Sequence, residues 1–181
     1  MMPHLGCATL LSLPILSFVL SITSATALAP SAIPLSLWTP MERDSFFVDT
    51  QSNVGYLIHG DGAFTSFPLL TGQRRVVSYI GLRYDATTPE GEWIVKSQHI
   101  QPDRITYGMN GKFLRLYTDG KEYSHYGIHT HRYVEEMIQS GDRFRSMGCI
   151  IVSEDIYNLL ERTYEKNQGE LAVVTKYGLK I

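Results

Sequence analysis

The chain has 181 residues, the length of one ordinary domain with room for an appendage. Lysine and arginine total 16 against 18 aspartates and glutamates, a net charge of −2, so the basic excess that marks most nucleic-acid binders is absent. A hydrophobic share of 44% with 19% charged residues excludes a disordered chain and a multi-span membrane protein, and two cysteines exclude a disulfide-dense scaffold or a four-cysteine zinc module.

Met1 to Met41 holds no Asp, Glu, Lys or Arg; the first is Glu42. Within this leader, Ala8 to Ile22 is apolar, of the length of a signal-peptide core and short for a bilayer span of about 20 residues. Ala25-Thr26-Ala27 and Ala27-Leu28-Ala29 both match a small-residue cleavage pattern. Residues 1–29 therefore read as a signal peptide. An uncleaved anchor and a buried core helix are the alternatives, because Met1 to Gly6 lacks Lys and Arg. Pro30, Pro34 and Pro40 mark 30–41 as a spacer, which leaves 42–181 as the globular domain. Cleavage would remove Cys7 and leave Cys149 alone, as an apolar filler or a reactive thiol.

Strands are expected over Phe46–Thr50 and Val54–His59, joined by a turn at Ser52-Asn53. Gly60-Asp61-Gly62 makes the next turn. Ala63–Leu70, Val76–Leu82, Trp93–Ser97, Phe113–Tyr117 and Ser124–His131 continue the series, with Asp119-Gly120 as a hairpin turn. Short strands at this spacing predict an antiparallel sandwich or barrel, mainly β with a small α component. Tyr133–Gln139 is expected as a short helix stopped by Gly141. Asp155–Lys166 is expected as a longer one. Ser153 can cap it, Glu154 and Asp155 suit its positive end, and Ile156, Leu159, Leu160 and Tyr164 recur at helical spacing. Leu171–Thr175 closes the series as a strand.

Tyr126 to Val152 carries the chemistry: two histidines, then Ser146-Met147-Gly148-Cys149 opening an apolar run. A cysteine nucleophile with a histidine base is one reading, in which a neighbouring imidazolium lowers the thiol pKa from its usual value near 8.5. Gly148 allows close backbone approach, and N–H groups at Gly148 and Cys149 are candidate oxyanion donors. A buried structural cysteine is the other reading.

The same stretch resembles the catalytic signature of the L,D-transpeptidase (YkuD-type) family, a histidine followed at a defined spacing by Ser/Thr-x-Gly-Cys and an apolar residue. Sixteen residues separate His129 from Ser146, and Tyr126-Gly127-Ile128 leads into the histidine as in that family. Upstream, Thr88-Pro89-Glu90-Gly91 with Trp93-Ile94, and Thr71-Gly72 after an apolar strand, resemble two further family elements in the same order. The resemblance covers roughly Phe46 to Thr175. It implies a YkuD-like β-sandwich with one short helix in the active-site loop and one helix after the nucleophile. It further implies that Cys149 is the acylated nucleophile and His129 its base. Thr130 would orient the imidazole through its carbonyl, Gly148 would shape the oxyanion site and Ser146 would brace the loop. Met147 departs from the histidine common in the family, and Ile151 from the usual Arg or Asn.

Arg143 and Arg145 are candidates to bind a substrate carboxylate, with solvated loop charges as the plain alternative. His131 also lies at an admissible spacing, with fourteen residues between it and Ser146, and is the rival base or a substrate contact. His125, His129 and His131 on one strand face would instead suggest a zinc site. Tyr107, Tyr117 and Tyr123 either line a substrate cap or fill the core.

The resemblance implies an exported enzyme of the bacterial periplasm or cell-wall space. It would act on peptidoglycan stem peptides, with no cofactor or metal and no stable protein partner. Cys149 would attack the peptide bond before the terminal D-alanine of a tetrapeptide stem, releasing D-alanine, and an amine would take the acyl group to give a 3→3 cross-link. Water as acceptor would make the protein an L,D-carboxypeptidase. A non-catalytic wall-binding protein on the same fold is the reading that Met147 and Ile151 motivate.

Overall fold

The computed structural model describes residues 31–119 and 122–181. The expected leader over 1–29, and Gly120 of the expected hairpin turn, lie outside the described residues. Among the described residues no helix is long and apolar enough to cross a membrane.

Among the described residues twelve strands run in chain order: β1 (Ser45–Asp49), β2 (Val54–Ile58), β3 (Phe64–Pro68), β4 (Thr71–Gly72), β5 (Val76–Tyr79), β6 (Leu82–Asp85), β7 (Gly91–Ile100), β8 (Lys112–Thr118), β9 (Glu122–His129), β10 (Phe144–Ser146), β11 (Ile150–Ile151) and β12 (Leu171–Lys176). The α-helices α1 (Val134–Gln139) and α2 (Glu154–Lys166) flank β10 and β11. Eight strands form one curled sheet in the order β11-β9-β8-β7-β12-β1-β2-β3, and β4–β10 and β5–β6 form separate pairs. The architecture is mainly β with a small α component. It is not wholly antiparallel: β1 pairs with β12, β9 with β11 and β4 with β10 in parallel. Each parallel pair joins segments far apart in sequence, which turn chemistry alone does not reveal.

Burial alternates with period two. Phe46 and Val48 of β1, Leu57 of β2, Val95 of β7, Leu114 and Leu116 of β8, Ile128 of β9 and Leu171 and Val173 of β12 turn to one core. Into it α2 presses a stripe of Ile156, Tyr157, Leu159, Leu160 and Thr163. Ser153 caps α2 by accepting a hydrogen bond from the Ile156 N–H at 3.4 Å. The helix ends where Gln168 and Gly169 take left-handed backbone and the Gly169 N–H reaches back to the Tyr164 carbonyl at 3.0 Å.

Two expectations change. Val76–Leu82 is not one strand but a hairpin, because Ile80 (φ 50°) and Gly81 (φ 77°) turn the chain. Positive φ at both central residues suits a tight two-residue hairpin. Gly81 is the turn signal, and Ile80, a residue type that disfavours this conformation, conceals it. The 30–41 segment is more than a spacer over its described residues. Ile33 donates its N–H to the Phe64 carbonyl at 2.7 Å, and Trp38 is buried, its ring stacked 3.7 Å from that of His59.

Candidate active site

β8, β9 and β11 lie side by side, with Phe113 opposite His129, Arg115 opposite Gly127, and Ile150 beside Ile128. Leu114, Ile128 and Ile150 enter the core. By alternation Phe113, Arg115, Gly127, His129 and Cys149 project from the other face. Cys149, the residue just before β11, and His129, at the end of β9, thus lie on the same side of the sheet, two residues apart when the β9–β11 register is extended to Cys149.

His129 is the last residue of β9 and is buried. Its Nδ1 donates to the carbonyl of buried Thr130 at 2.7 Å, which leaves Nε2 without a proton. Burial pushes its pKa down to about 4, the carbonyls of Thr130 and Thr106 acting in the opposite sense. Tyr107 tilts over the imidazole with ring centroids 4.9 Å apart, and Phe113 stacks at 5.9 Å.

Cys149 is half-buried. Burial pushes its thiol up to about 11, opposed by the Gly127 backbone N–H and the charge of Arg115. The expected imidazolium-lowered thiol is therefore corrected. At neutral pH the resting pair is a neutral thiol and a neutral imidazole, because both groups lose more hydration than nearby charge restores.

The loop before Cys149 is tied from several sides. Ser146 donates its hydroxyl to the Cys149 carbonyl at 2.5 Å and accepts from the Gly148 N–H at 3.1 Å. The Gly148 N–H is thereby committed within the loop, so its oxyanion role is not supported here. Its backbone is at φ 113°, and a side chain would collide with the Tyr126 ring. The sequence elements Thr71-Gly72 and Thr88-Pro89 brace this loop. Thr71 donates its N–H to the Arg143 carbonyl (2.9 Å) and Gln73 to the Ser146 carbonyl (3.2 Å). The Gly72 N–H reaches the Thr88 hydroxyl at 2.8 Å, and the Thr175 hydroxyl holds the Pro89 carbonyl at 2.6 Å. Tyr84 donates to the Met147 carbonyl at 3.4 Å, and Gln73 lies 3.3 Å from the Met147 sulfur.

The other candidates disperse. His131 accepts the Tyr133 N–H at Nδ1 (3.0 Å), and His125 is exposed beside Tyr123. The β8–β9 register shifts between Tyr123 and Gly127, so the strand carrying the three histidines is not regular. Among the described residues no three His, Cys, Asp or Glu side chains gather as metal ligands. Arg145 is exposed and paired with Asp142 at 2.9 Å on the wall of a groove of about 390 Å³ that Gln73, Arg75 and Phe144 also line. Arg143 is half-buried, its Nε without a partner. Of the three tyrosines, Tyr107 reaches His129, Tyr117 bonds Ser97 at 2.9 Å and Tyr123 is exposed. Ile151, in the position of the family's polar residue, is buried with Leu70 and Val134.

Arg115 and Tyr84 are site residues that the sequence reading did not single out. The charge of Arg115 lowers the Cys149 thiol pKa across the strand pairing, the Tyr84 hydroxyl reaches the Met147 carbonyl from a hairpin, and neither carries a local motif. Alternation along β8 with Phe113 would have found Arg115 once β8 was paired with β9.

The family model of the YkuD L,D-transpeptidase catalytic domain matches residues 43–174, and the chain belongs to that family. No curated protein matches the sequence. Solved structures share its fold. An L,D-transpeptidase from Xylanimonas cellulosilytica is 17% identical with a TM-score of 0.54, over 76% of this chain and 62% of its own. Bd1075 of Bdellovibrio bacteriovorus is 17% identical with a TM-score of 0.53, over 77% of this chain and 49% of its own. An Enterococcus faecium L,D-transpeptidase variant is 16% identical with a TM-score of 0.50, over 75% and 50%. The chain thus spans between about half and three-fifths of those chains.

Proposed function

We propose that the domain is an exported cysteine acyltransferase that acts on tetrapeptide stems of peptidoglycan. The observation that carries this reading is that Cys149 immediately precedes β11, whose Ile151 pairs with His129, while Nδ1 of His129 is anchored to Thr130. In the proposed reaction His129 Nε2 takes the thiol proton as Cys149 Sγ attacks the carbonyl before the terminal D-alanine. The backbone N–H of Cys149 faces the developing oxyanion. The C–N bond breaks, D-alanine leaves with the proton held on Nε2, and a thioester remains. An amine of a second stem then attacks the thioester, His129 takes its proton, and the thiol is restored with a 3→3 cross-link. Water in the same place gives an L,D-carboxypeptidase. Because the resting pair is neutral, proton transfer accompanies attack. Arg145 and Arg143, on the Met147 side, are proposed to meet the remainder of the stem or the acceptor.

The test is incubation of the protein with tetrapeptide muropeptides beside Cys149→Ala, with products read by mass spectrometry. D-alanine release that vanishes in the variant supports the reading, and dimers or tripeptides name the acceptor. Absence of turnover by the native protein sinks it.

One observation favours a second reading, a wall-binding module: the thiol is pushed up rather than down. In that reading stems bind with equal affinity to the native protein and Cys149→Ala, and neither releases D-alanine.

A further inference from the structure

Arg115 has no role in the reaction just described. It is half-buried on β8, opposite Gly127, the residue before Ile128, which pairs with Ile150 next to Cys149. One N–H of its guanidinium donates to the Ser124 carbonyl at 2.7 Å. The group lies 5.0 Å over the Phe113 ring and 5.5 Å over that of Tyr123. These contacts fix its position. They also leave most of its five donors unused. Among the described residues no carboxylate pairs with it, whereas Lys96, Lys112 and Arg145 each have one. A half-buried guanidinium held in place without an anion is suited to receive one. Ile151 cannot supply that charge, being packed into an apolar cluster.

The anion nearest the chemistry is set by the substrate. A tetrapeptide stem has its terminal carboxylate on the leaving residue itself, adjacent to the scissile bond. In a pentapeptide the terminal carboxylate lies one residue, about 3.5 Å, further on. Resting on the acyltransferase reading above, we infer that Arg115 binds the terminal carboxylate of the leaving D-residue and so selects stems that end one residue past the scissile bond. Arg115 is thus a specificity residue, and the selection works by position: a longer stem leaves the guanidinium facing a neutral amide.

The test separates this from the parent reading by measuring binding as well as turnover. Cys149→Ala holds the stem uncleaved. Its affinity is measured by calorimetry for the tetrapeptide, for the same stem with a C-terminal amide, and for the stem amidated instead on the side chain of its third residue. The expected result is about a 100-fold weakening for the C-terminal amide only. Adding Arg115→Gln should weaken the acid to the level of the amide and leave the amide unchanged, while Arg115→Lys should restore part of the preference. Equal or absent binding of acid and amide overturns the inference. So does a preference that survives Arg115→Gln, or one that follows the side-chain carboxylate. Failure of the parent reading looks different: D-alanine is not released by the native protein, whatever the affinities show.

Discussion

The two faces of β8, β9 and β11 differ in every property although the same strands build both. On one, Leu114, Ile128 and Ile150 are completely buried against α2 and the core. On the other, Arg115, His129 and Cys149 alternate with them, half-buried or buried, beside Phe113 and Tyr107. The apolar face supplies rigidity, and the polar face borrows it. A side chain on a strand between two core residues has little freedom, so His129 and Cys149 are positioned by Ile128 and Ile150. The contrast teaches that the site is a property of register: one step of slippage would exchange the faces.

The largest expected effect falls on the polar face. Cys149→Ala should abolish acyl transfer, and His129→Ala should lower kcat by roughly 10²–10⁴ beyond the loss of stability from removing its buried ring. Substantial activity in His129→Ala would break the assignment and shift the base role to His131. On the apolar face the sign of the comparison reverses. Ile128→Ala should cost about 2–5 kcal/mol of stability by leaving a cavity, read from the denaturant midpoint. At low temperature it should retain the Cys149-dependent reaction. A small loss would mean that the two faces are not mechanically distinct.

Only the polar face responds to acid. His129 has its pKa held near 4 in the folded state, below the ordinary value near 6.5. Between those values the unfolded chain binds the extra proton, so this contribution is present above pH 6.5 and lost as pH falls toward 4. The loss should be on the order of 3 kcal/mol, seen as a falling urea midpoint, and should flatten in His129→Gln. Ile128→Ala should lower the whole curve without altering that slope. The smallest effect is expected at Ser146→Ala, which removes the brace between the Gly148 N–H and the Cys149 carbonyl. About 1–2 kcal/mol of stability should go, together with a larger proportional loss of kcat than of stem affinity. A change in affinity alone would assign Ser146 to binding instead.

What could be read from the sequence follows the same division. Alternation marked the core strands, and Ser153 with the stripe from Ile156 to Tyr164 marked α2 to within one residue at its start. His129, Thr130, Ser146 and Cys149 were legible because they belong to a local pattern. Arg115 and Tyr84 were not, since only the β8–β9 pairing and the β5–β6 hairpin bring them to the loop around Cys149. The hairpin itself was hidden by Ile80, and the parallel β9–β11 pair by the twenty residues between its strands. The raised thiol pKa was equally invisible, because burial depends on the assembled fold. Sequence proximity of Cys and His suggested the opposite sign.

The most direct measurement is the mass of the intact protein seconds after mixing with a tetrapeptide muropeptide, followed by peptide mapping. The account predicts an added mass of the stem minus D-alanine, carried as a thioester on Cys149 and absent from Cys149→Ala. D-alanine release with no adduct on Cys149, or release that persists in Cys149→Ala, would contradict it.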